Sequence, residues 1–78
     1  MTKKYKLTKE TKVEYGIKLY RIEALIDFYN VNKGERGGFV EKEGNLSQED
    51  NAWVYGNARV YGNAWVYGDA RVSGNAWV

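Results

Sequence analysis

A chain of 78 residues with a formal net charge of +2 and 28% charged side chains describes one small domain with a limited core, and not the concentrated basic block of a dedicated nucleic-acid binder. The absence of Cys excludes a disulfide framework and a thiolate metal site. No apolar run approaches membrane-spanning length, and the Lys-rich start lacks the apolar stretch of a signal peptide, so no membrane partner and a cytoplasmic location are expected.

Residues 3–25 carry seven of the twelve Lys and Arg side chains and read as antiparallel β. Tyr5 and Leu7 alternate with Lys, Val13 and Tyr15 with Lys12 and Glu14, and Tyr20, Ile22 and Ala24 with Arg21 and Glu23. The apolar phase shifts between Leu19 and Tyr20, and Gly16 supports a hairpin turn near Tyr15 to Lys18. Three strands are expected, near 3–8, 11–15 and 18–25, with the Lys side chains solvating strand faces and protecting an edge.

Residues 26–43, IDFYNVNKGERGGFVEKE, are the least regular. Gly34, Gly37 and Gly38 mark loops, while Phe28, Val31, Phe39 and Val40 are apolar enough to pack beneath something, so this stretch reads as a plug. The run from Gly34 to Gly38 lacks the Lys-Ser/Thr and the helix of a phosphate loop. Asp27, Glu35, Glu41 and Glu43 are interleaved with Lys33, Arg36 and Lys42, which is the pattern of solvated surface and not of a cation site.

From Gly44 the chain repeats one six-residue phrase: GNLSQE, DNAWVY, GNARVY, GNAWVY, GDARVS, GNAWV. Within each hexad, alternation puts Ala and Val on one face and Trp or Arg with Tyr on the other. Arg59 and Arg71 must see solvent or a partner, because an unpaired buried guanidinium is too costly, so Ala and Val point inward. Gly-Asn and Gly-Asp turn the chain after each short strand.

This pattern resembles the hexapeptide repeat of left-handed parallel β-helices, in which three hexads make a triangular coil of roughly eighteen residues. The resemblance implies an all-β fold: a short left-handed parallel β-helix of about two coils, residues 44–78, continuous with an N-terminal antiparallel β-hairpin or meander and capping segment, residues 1–43. A solenoid needs such a cap over its apolar end. The three-hexad register stacks Val54 under Val72, Val60 under Val78, Trp53 against Arg71, Arg59 against Trp77, Asn57 under Asn75 and Asn45 under Asn63. The run Asp27-Phe28, Asn30-Val31, Gly34, Gly37-Gly38-Phe39-Val40, Asn45-Leu46-Ser47 and Trp53-Val54-Tyr55 is similar to the opening of YdcK-like proteins, bacterial and phage β-helix proteins often labelled acyltransferases from the repeat.

Hexapeptide acyltransferases use a His general base and a groove between subunits, whereas this chain has no His and no loop interrupting its hexads. A non-enzyme is expected, with no catalytic, cofactor or metal residues; a truncated acyltransferase relative is the remote alternative. What stands out is the outer surface, Trp53, Tyr55, Arg59, Tyr61, Trp65, Tyr67, Arg71, Trp77 and Val78, because exposed aromatic area beside Arg marks interaction sites. Val78 closes the sequence inside a hexad, leaving an open coil surface in the expected fold. A homo-oligomer is therefore expected, a dimer through stacked open ends ahead of a trimer through the walls. The alternative is a sponge-like protein for a small anionic aromatic ligand such as a nucleotide, held by stacking and Arg-to-phosphate contacts.

Overall fold

The computed structural model describes residues 3–78. Strands β1 (Tyr5–Glu14) and β2 (Ile17–Ala24) form an antiparallel hairpin closed by Tyr15 and Gly16, whose φ values of 52° and 78° make a two-residue turn. Positive φ at both central residues matches the right-handed twist of the flanking strands. The two strands expected near 3–8 and 11–15 are one. Pairing runs from Tyr5 opposite Ala24 to Leu7 opposite Ile22, is interrupted, and resumes with Thr11 opposite Tyr20. A bulge, and not a turn, absorbs the extra residues, so the hairpin is longer than the alternation suggests.

After β2 the chain makes a tight bridge between Phe28 and Val31 and enters β3 (Arg36–Val40). This strand joins the two halves of the molecule. On one edge it pairs antiparallel with β2, Arg21 opposite Phe39; on the other it pairs parallel with β5 (Arg59–Val60), Phe39 opposite Arg59 and Val40 opposite Val60. Gly37 and Gly38 permit this approach. A Cβ on Gly38 would lie 2.6 Å from Val54 Cγ1 and 2.7 Å from the Ala58 carbonyl, and one on Gly37 would strike the Val54 carbonyl and Ile22.

Beyond a 3-10 turn at Glu43–Asn45, the hexads run as short parallel rungs. Strand β4 (Trp53–Val54) pairs with β6 (Arg71–Val72), Trp53 opposite Arg71 and Val54 opposite Val72, and a bridge joins Arg59 to Trp77; all three pairs are eighteen residues apart. Two other contacts, Phe39 with Arg59 and Leu46 with Val66, are twenty apart. Four of the corners use Gly in the left-handed region, Gly56, Gly62, Gly68 and Gly74, and Asp50 takes a φ of 58° at the corner where the repeat departs from Gly. The parallel rungs thus follow the hexad phrase, with a longer first passage around Ser47 to Asn51.

The core confirms the inward phase of Ala and Val in the earlier hexads. Ala52, Val54, Ala58, Val60 and Val66 are buried with Leu46, Val40 and Val31, and with Tyr5, Ile22 and Ala24 from the hairpin. Each buried Val contributes about 1.5–3 kcal/mol relative to exposure. Farther along, Ala70 and Ala76 are exposed and Val72 is half-buried. No helix among the described residues is long and apolar enough to cross a membrane.

Candidate functional site

The nine wall residues do not share one environment. Trp53, expected outside, is wholly buried, and this is the main correction to the interaction surface. The hairpin start and the Phe28 bridge lie over it: Tyr5 and Phe28 meet its indole edge-on, with ring centroids 6.3 and 5.2 Å away. Burial of so large a ring makes Trp53 a structural anchor, although its Nε1–H finds no acceptor among the described residues. With the indole covered, the expected Arg71 contact is displaced. The Arg71 guanidinium lies 4.1 Å from the centroid of Tyr29 and donates to the Asn51 carbonyl.

The second stack stands as the register required. Arg59 lies 4.6 Å over the Trp77 ring, and Tyr61 and Tyr15 flank that indole at 5.5 and 5.6 Å. Arg59 also forms an ion pair with Glu14, donating from Nη2 to Oε2 at 3.1 Å. Desolvation alone would raise the Glu14 carboxyl, but the hydrogen bond and charge of Arg59, joined by Lys12, outweigh it and hold the group below its ordinary value. One step along the same row, Phe39 receives Lys12 and Arg21, each 4.4 Å from its centroid. The hairpin tip therefore leans across the row Phe39, Arg59, Trp77. Tyr15 and Glu14 were missed in the sequence because hairpin twist, which sets their direction, leaves no trace in alternation.

Tyr55 is half-buried and donates from its hydroxyl to Asn30. Trp65 and Tyr67 are different: 58% and 57% exposed, they stack on each other with centroids 4.4 Å apart. Trp77 and Val78 are exposed to a lesser degree.

The expected amide ladders are not formed. Asn45 is buried, donates to the carbonyls of Gly62 and Ala64 at 3.1 and 2.8 Å, and accepts from Lys42 N–H, so it ties two rungs together without reaching Asn63. The offset of twenty residues at Leu46 and Val66 moves Asn63 out of line. Among the described residues no hydrogen bond joins Asn57 to Asn75.

A second unforeseen element is Lys4. Its ammonium is buried and donates to the carbonyls of Glu49, Asp50 and Ala52 at 3.2, 3.3 and 2.7 Å, while Gln48 Oε1 accepts from the backbone of Lys4 and Tyr5. Burial lowers its pKa to about 8 against the opposing pull of Asp50, with Arg71 adding to the decrease. The Tyr5 hydroxyl donates to the Leu46 carbonyl at 2.6 Å, and burial, with Glu43 nearby, raises its pKa. These contacts fasten the start of β1 to the long corner. Among the described residues no pocket opens, and no group of three His, Cys, Asp or Glu side chains is placed to hold a metal.

Short parallel rungs on a hexad period, joined through β3 to an antiparallel hairpin, define a β-solenoid protein. The YdcK β-solenoid repeat matches residues 52–68 and 66–78. Over 69 aligned residues the chain is 38% identical to a protein named uncharacterized acetyltransferase YdcK from Escherichia coli (strain K12), an alignment covering 77% of this chain and 21% of that protein. The chain is thus YdcK-like, and it spans about a fifth of the length of that relative.

Proposed function

We propose that the protein is a non-catalytic β-helix interaction module that assembles with itself. The repeat winds as a left-handed β-helix of about two coils, the homodimer is the favoured assembly over the trimer, and the cytoplasm is its compartment. The observation that carries this reading is the distribution of exposed apolar groups: Ala70, Ala76, Trp77 and Val78 are exposed, whereas the apolar groups of the earlier hexads are mostly buried. Covering that surface with a second copy buries apolar area. Size exclusion with light scattering across a concentration series tests it, and a folded monomer throughout would overturn it.

The absence of His supports a non-catalytic role, as does the engagement of both wall arginines by side-chain and backbone partners. Acetyl transfer belongs to the name of the relative, and a reduced acyltransferase is the reading it would suggest for this chain. Release of coenzyme A from acetyl-coenzyme A above a buffer blank would favour that reading over ours. The exposed aromatic rings of the later hexads are the observation behind a second binding role, capture of a small anionic aromatic ligand such as a nucleotide. A nucleotide panel in thermal shift tests that role, since a ligand of the folded state raises Tm.

A further inference from the structure

The molecule repeatedly places a cation against an aromatic ring. Lys4 lies over Phe28, Lys12 and Arg21 over Phe39, Lys18 over Tyr20, Arg59 over Trp77 and Arg71 over Tyr29. Energetically significant pairs occur about once per 70–80 residues in proteins generally, so this density makes the contact a recurring construction in so short a chain. Trp65 and Tyr67 lie outside this pattern, as do Tyr15, Tyr55 and Tyr61. The first two are the stacked pair left open to solvent, and among the described residues no cation lies over either ring.

The reason is local. Asn45 stands beside Trp65, where an eighteen-residue register would place Ser47, so neither spacing supplies a cation, and the Asn45 side chain turns in to the Gly62 and Ala64 carbonyls. From residue 43 to residue 58 there is no Lys or Arg, and none from 60 to 70. The same two stretches carry Glu43, which pairs with Lys3 at 3.2 Å, and Glu49, Asp50 and Asp69, all exposed. Asp50 reaches the aromatic pair's own rung, where its Oδ2 accepts from Gly68 N–H at 2.8 Å. Lys4 is buried behind that corner, its ammonium committed to three carbonyls and 3.9 Å from Asp50 Oδ1.

We infer that the Trp65–Tyr67 face is a docking surface for an arginine side chain of a basic peptide segment in a partner protein. The partner's planar guanidinium stacks on the exposed rings, as Arg59 does on Trp77, while the carboxylates of the long corner meet its charge. Charge decides the occupant. An anionic ligand that stacked on the same rings would meet the Asp50 carboxylate on that rung, with no cation among the described residues over either ring to receive it.

The test is a titration of the indole N–H resonance of Trp65, assigned by loss in Trp65→Phe, with a capped Gly-Arg-Gly-Arg-Gly peptide, its Gln-for-Arg counterpart, and adenosine monophosphate. The Arg peptide is expected to shift Trp65 saturably and leave buried Trp53 in place, and 0.5 M salt is expected to weaken binding about fivefold or more as exposed charges are screened. Asp69→Lys is expected to weaken it to a similar extent; that site is exposed, so the fold is retained. An equal response to the Gln peptide, no response to the Arg peptide, or a stronger one to the nucleotide would each overturn the inference. So would an indole that becomes protected from acrylamide as protein concentration rises, because a second copy would then occupy the face.

Discussion

Trp53 and Trp65 occupy the same position in almost identical hexads, DNAWVY and GNAWVY, yet the first is wholly buried and the second is 58% exposed. The hexad fixes which way each indole leaves its rung. What lies on it is decided by non-repeating sequence: Tyr5 and Phe28 cover Trp53, whereas among the described residues the ring that meets Trp65 is Tyr67 of its own hexad. A repeat therefore specifies scaffold, and the segments outside it convert equivalent positions into an anchor at one place and an open surface at another.

The largest effect is expected inside the rungs that both tryptophans share. Val66 is buried opposite Leu46, so Val66→Asp puts an unpaired carboxylate in the core and should abolish cooperative folding by circular dichroism. A native melt for that variant would contradict the inward phase. Next, the comparison itself can be broken by truncation. Trp53→Ala should cost about 3–5 kcal/mol in urea unfolding, as for buried aromatics generally, whereas Trp65→Ala should stay within about 0.5 kcal/mol, as surface changes do. Similar losses at the two sites would erase the distinction.

A smaller effect concerns the fastening of β1 over Trp53. Lys4→Met leaves three carbonyls without their charged donor and should cost about 2 kcal/mol. It also has a pH signature. Because the folded pKa of Lys4 is lowered to about 8 from 10.5, the unfolded chain binds the proton that the folded chain has lost between those values, and stability rises with pH there. Above pH 10 the raised Tyr5 group opposes this, since the unfolded phenol ionises first. Urea midpoints at pH 8 and 9.5 should therefore increase in the parent and flatten in Lys4→Met.

The wall arginines give the smallest contrast. Arg59→Glu sets a like charge beside Glu14 and removes the cover of Trp77, for about 1.5 kcal/mol. Arg71→Glu should cost less, and Lys9→Glu, exposed and outside the ion pairs of the described residues, least. Equal changes at Arg59 and Lys9 would remove the energetic meaning of the Arg59–Trp77 stack.

The rungs were legible because a strict period needs only counting: Val54 meets Val72 and Arg59 meets Trp77 at the spacing three hexads require. Counting failed where the period is broken. The corner at Ser47 to Asn51 lengthens the first passage, which displaced Asn63 from Asn45. It failed again where the hairpin folds back. A bulge between Leu7 and Thr11 fused two expected strands, and long-range packing of Lys4 and Tyr5 onto the long corner buried Trp53, neither of which alternation encodes. The division of the wall residues into anchor, internal stack and open platform depended on contacts distant in sequence.

The later hexads expose an apolar surface at Ala76, Trp77 and Val78 that the proposed dimer would cover. Light scattering after size exclusion at tens of micromolar, for the parent chain and for Trp77→Ser with Val78→Ser, measures this most directly. Twice the monomer mass is expected for the parent, falling to the monomer mass in the double variant while circular dichroism remains native. A folded parent that stays monomeric at every concentration would contradict it.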